Sequence, residues 1–123
     1  MTPLGEKLRH MRSTRNVSLK EMAEGINVSS AYLSALEHGK KGKPGWDLLQ
    51  RIISYLNVIW DEAEEIQRLA EISDPRVIID TAGGDPKATE LANILARNIG
   101  LLKKDSLSHI LLEIRKAAVQ DQK

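Results

Sequence analysis

Two helix-start signals stand close together in the block Ser18-Leu-Lys-Glu-Met-Ala-Glu-Gly-Ile-Asn-Val-Ser-Ser-Ala-Tyr-Leu-Ser-Ala-Leu-Glu-His-Gly-Lys40. Ser18 is followed three residues later by Glu21, a capping box. It predicts a short helix from Ser18 to about Ile26, with Met22, Ala23 and Ile26 inward. Asn27 comes next, and Asn is second only to Gly in accepting a left-handed turn. Ser29 then caps another helix, about Ser30 to His38, with Leu33 and Leu36 inward and Gly39 at its end. Two short helices joined by a tight turn make a helix-turn-helix skeleton. No other feature of the chain restricts its fold as much.

The flanks read as helices too. Thr2 and Pro3 open a first helix carrying Leu4, Leu8 and Met11 on one face. After the basic loop Lys40–Gly45, a fourth helix runs from about Trp46 to Leu56, and Asn57 repeats the turn role of Asn27. A fifth spans about Trp60 to Ile72, with Glu62, Glu64 and Glu65 on its outer side. Asp74-Pro75 ends it. Residues 74–85 read as a connector, with one short strand expected at Val77-Ile78-Ile79. Asp85-Pro86 opens a sixth helix that Gly100 should stop, and Asp105 or Ser106 should cap a seventh. Residues 86–123 thus form a C-terminal hairpin too small to bury its own apolar stripes. The expectation is an all-α chain: a five-helix domain over 1–73, a connector over 74–85 and the hairpin over 86–123.

Composition agrees with helices. Apolar residues are 41% of the chain, yet aromatics are 3% and Phe is absent, so the core must be aliphatic. The absence of Cys excludes disulfides, thiolate metal sites and Cys nucleophiles. No apolar run approaches the roughly 20 residues of a membrane span, and the N-terminus has no signal-peptide pattern. A cytoplasmic protein with no membrane contact is expected. The net charge of +1 hides an asymmetry. Residues 1–51 carry a net +4 and residues 52–123 a net −3. A charge difference between halves hints at nucleic-acid contact through the basic one.

The block 18–40 resembles the helix-turn-helix of the Cro/C1 (lambda-repressor-like, XRE) family. Ala23, Val28, Ser29, Leu33, Ser34, Glu37 and Gly39 all fall in one register. Leu4–Arg12 is similar to that family's first helix, and Pro44 with Leu48, Leu49 and Ile52 to its fourth. The resemblance covers roughly residues 4–72. It implies a five-helix DNA-binding domain in a transcription repressor that works as a homodimer on a palindromic double-stranded operator. It also implies an ion pair between Arg12 and Glu37, tying the first helix to the third.

In that geometry the third helix enters the major groove. The positions carried over as base-facing are Ser29, Ser30, Ala31, Tyr32, Ser34 and Ala35. None is Arg, Lys, Asn or Gln, the strongest base readers. Phosphate contacts are better supplied, by Ser18, Lys20, Lys40, Lys41 and Lys43. Leu19 stands where the family commonly has Gln. The apolar residues Val77, Ile78, Ile79, Leu91, Ile94, Leu95, Leu107, Ile110, Leu111 and Ile114 are the candidate dimer interface.

An enzyme is not expected. His10, His38 and His109 are scattered, His109 and Glu113 lack a second His, and no phosphate-binding loop motif occurs. No catalytic residue, metal or cofactor is expected. Two other classes stay open: a protein-binding antiactivator or adaptor, using the acidic C-terminal half, and the antitoxin of a toxin–antitoxin pair.

Overall fold

A computed structural model describes residues 1–122 of the 123. As expected, the architecture is all-α. The chain divides into two compact units, Met1–Val77 and Ile78–Lys123. The first holds α1 (Pro3–Thr14), α2 (Leu19–Gly25), α3 (Ser30–Glu37), α4 (Trp46–Leu56) and α5 (Trp60–Glu71). The second holds α6 (Pro86–Asn98), a 3-10 turn (Ile99–Leu101) and α7 (Lys104–Asp121).

Local signals in the first unit become contacts. The Thr2 hydroxyl accepts from the Gly5 amide at 3.0 Å, with Pro3 opening α1. The capping box of α2 closes both ways: Ser18 Oγ accepts from Glu21 N at 3.0 Å and Glu21 Oε1 from Ser18 N at 3.3 Å. Ser29 Oγ accepts from Tyr32 N at 3.0 Å to start α3. Asn16, Asn27 and Asn57 take the left-handed backbone, at φ 56°, 59° and 55°. Each turns the chain beyond a helix end, where the short polar side chain lowers the steric cost.

α2 and α3 have only 7 and 8 residues. Helices this short do not persist alone in water. They persist here because Met22, Ala23, Ile26, Leu33 and Leu36 are buried with residues of α1, α4 and α5. Two glycines let the helices close up. A Cβ on Gly5 would lie 2.4 Å from the Glu37 carbonyl oxygen, so α1 meets the end of α3 with no side chain between them. A Cβ on Gly25 would lie 2.2 Å from the Tyr55 ring.

The second unit is ordered by short-range bonds. Asp85 Oδ1 accepts from Lys87 N at 2.8 Å, and the Thr81 and Thr89 hydroxyls meet at 2.7 Å. No residue of α6, the 3-10 turn or α7 is buried. Three sequence expectations are corrected here. Val77-Ile78-Ile79 forms no strand, and there is none among the described residues. A lone extended run has no neighbouring strand to pair with. Gly100 does not stop the sixth helix directly: α6 ends at Asn98 and passes into the 3-10 turn that contains Gly100. α7 starts at Lys104, after Lys103 in the cap position, not behind Asp105 or Ser106. Asp105 lies inside the first turn, where a carboxylate suits the positive end of the helix.

Candidate nucleic-acid interface

The orientation of α3 is fixed from behind. Glu37, at its last turn, is 1% exposed. An ionised carboxylate that deep must be paired. Arg12 supplies a two-pronged partner: Nε donates to Oε2 at 3.0 Å and Nη2 to Oε1 at 3.1 Å. Its Nη1 donates to the Val17 carbonyl at 3.2 Å, just ahead of α2. One guanidinium thus joins α1, α3 and the approach to α2. The hydrogen bond to Glu37 raises the Arg12 pKa despite partial burial. Arg51 adds a tie not foreseen in the sequence, its Nη1 donating to the Ile26 carbonyl at 2.8 Å between α4 and the end of α2.

With its back held, α3 presents its N-terminal end. Ser29, Ser30 and Ala31 are exposed, whereas Tyr32, Ser34 and Ala35 are half-buried. The Tyr32 ring packs against the core. The Ser34 carbonyl accepts from His38 Nδ1 at 2.7 Å. Ser18 is exposed, but its hydroxyl already caps α2. Lys20 is exposed beside it, and Leu19 packs against the core. That contact gives the apolar residue at position 19 a structural use.

The lysine loop is not uniform. Gly39 leaves α3 with φ +74° and Pro44 is buried, so both ends of the loop are pinned. Lys40 and Lys41 are exposed and make no ion pair among the described residues. Lys43, grouped with them on sequence, has an acidic partner: its Nζ lies 3.1 Å from Glu71 Oε2 at the end of α5. Sequence reasoning also passed over Arg9 and Asn16. They line a notch with Arg12, Ser13, Val17, Ser18 and Glu21 where the end of α1 meets the start of α2. The three-residue spacing of Arg9 and Arg12 on the first helix was the available signal.

The candidate interface residues of the second unit divide in two. Leu95, Leu107 and Ile110 are half-buried, while Leu91, Ile94, Leu111 and Ile114 remain exposed. Val77, Ile78 and Ile79 are exposed as well. Among the described residues no group of three His, Asp or Glu side chains is placed to hold a metal ion. No helix there is long and apolar enough to cross a membrane.

A family model described as a helix-turn-helix domain matches residues 3–71. The uncharacterized HTH-type transcriptional regulator RghRB of Bacillus subtilis is 31% identical over 61 residues, covering 50% of this chain and 44% of that protein. This chain therefore spans less than half the length of that relative. An uncharacterized HTH-type transcriptional regulator of Mycobacterium tuberculosis is 34% identical over 100 residues, 75% of this chain and 69% of the relative. A solved structure titled SinR protein/SinI protein complex matches with a TM-score of 0.45 and 20% identity, over 94% of this chain and 98% of that one. That likeness is too loose to bear on fold or partner.

Proposed function

The chain belongs to the Cro/C1-type (XRE) helix-turn-helix family, whose domain model spans residues 3–71, and from that premise we propose that it is a dimeric, sequence-specific DNA-binding repressor. One observation carries the reading: α3 is anchored at its last turn by the Arg12–Glu37 pair, its N-terminal residues Ser29, Ser30 and Ala31 are exposed, and Lys40 and Lys41, exposed and without an ion pair among the described residues, follow its C-terminal end. α3 enters the major groove. Lys20, Lys40 and Lys41, with Ser18, meet the phosphates, and Lys43 lies in the same loop as Lys40 and Lys41. Ser29, Ser30, Ala31 and Ser34 face base edges, which Ser reads ambiguously and Ala only through thymine methyls. Tyr32 and Ala35 sit behind them.

Weak base reading has consequences. Affinity rests on phosphate contacts and falls steeply with salt, with a log–log slope of about −0.9 per neutralised phosphate. Specificity comes from DNA shape and from the spacing of two half-sites, one helical turn of about 34–36 Å apart. A single module of this size gives too small a specificity ratio. The exposed apolar faces of α6 and α7 supply the pairing of two copies.

Fluorescence anisotropy on duplexes selected from a random library tests this. Lys41→Ala weakens all duplexes alike and flattens the salt slope, whereas Ser30→Ala alters the order of preference. A Lys41→Ala variant that changes preference at unchanged slope contradicts the assignment. Background affinity for every duplex would instead favour a protein-binding adaptor or an antitoxin.

A further inference from the structure

The loop that follows α3 leans on an acidic corner. Lys43 Nζ lies 3.1 Å from Glu71 Oε2. A Cβ on Gly42 would lie 3.6 Å from Asp74 Oδ2, so a second carboxylate faces the same loop. The corner itself is anchored. Ser73, 3% exposed, accepts from the Leu4 amide at 2.9 Å and donates to the Leu69 carbonyl. Asp74 Oδ1 accepts from Arg76 N at 3.0 Å. The two acids are thus presented to the loop by a fixed backbone.

The Lys43–Glu71 pair is solvent-exposed, and exposed pairs contribute little to folding. Its effect is on binding. A carboxylate and a phosphate are both oxyanions that accept charge-assisted hydrogen bonds from a lysine. We propose that Glu71 sets the DNA affinity of this interface by occupying Lys43 in place of a phosphate. The inference rests on the DNA-binding reading above. One of the loop's three lysines is thereby withheld from the DNA. A single half-site is then bound weakly, non-specific binding is kept low, and occupancy depends more on engaging both half-sites.

Glu71→Gln keeps the shape of the side chain and removes its charge. Anisotropy titrations on one fixed duplex across a salt series read the effect. Glu71→Gln binds roughly fivefold tighter per half-site near physiological salt, with a salt slope steeper by about 0.9 per half-site. Adding Lys43→Gln abolishes both gains, because Glu71 acts through that lysine. Wild-type affinity and slope in Glu71→Gln overturn the proposal. So does a gain that survives Lys43→Gln, which would make Glu71 a diffuse background charge. If the wild-type protein binds no duplex at low salt, the DNA reading itself fails and the proposal fails with it.

Discussion

The two units use similar aliphatic side chains to opposite ends. In Met1–Val77, apolar residues of five helices close over one another, and Leu8, Met22, Ile26, Leu33, Ile52 and Ile66 lose all contact with water. From Ile78 onward most large apolar side chains are exposed, a few such as Leu95, Leu107 and Ile110 are half-buried, and none in α6 or α7 is buried. Two helices alone enclose no interior, so their apolar stripes are left without a buried core. Five helices crossing at angles do enclose one. The first unit has a closed aliphatic core, and the second has none.

That contrast can be broken at its strongest point. Arg12→Ala leaves Glu37 charged, buried and unpaired, a change that typically costs about 3–5 kcal/mol. Urea denaturation followed by circular dichroism should show this loss in the transition of the first unit. Adding Glu37→Leu to Arg12→Ala should return much of it, since no buried charge is then left over. An Arg12→Ala protein as stable as wild type would mean that the pair does not hold α1 to α3.

A smaller change sharpens the picture from the other side. Trp60 opens α5 with φ +55° and is 79% exposed. A bulky residue in the left-handed region carries roughly 1–2 kcal/mol of strain. Trp60→Gly should stabilise the first unit by about 1 kcal/mol, less the entropy that Gly loses on folding. A lower melting temperature would show instead that the indole makes contacts worth more than the strain.

Much of this was readable in the sequence. Caps and turns are local, so Ser18, Glu21, Asn27, Ser29 and Gly39 gave the helix-turn-helix before any packing was known. The family register named Arg12 and Glu37, which the structure joins. What escaped depends on residues distant in sequence. Gly5 against Glu37, Gly25 against Tyr55, Arg51 on the Ile26 carbonyl and Lys43 on Glu71 each join two elements. Lys43 shows the limit most clearly, because a charge run reads the same whether or not an acid lies across from it. Val77-Ile78-Ile79 erred the other way: β-propensity is real only where a neighbouring strand exists.

The central claim is that the second unit makes the first a useful DNA binder by pairing two copies. Leu111→Asp with Ile114→Asp puts charges on the exposed face of α7 and leaves the first unit unchanged. Sedimentation and anisotropy on one selected duplex would be measured together for this variant and for wild type. The account predicts that wild type is a dimer and binds with a sigmoidal dependence on concentration. It predicts that the variant is a folded monomer binding at least tenfold more weakly. A monomeric variant with wild-type affinity, or a wild-type protein that is monomeric while bound to its duplex, would contradict it.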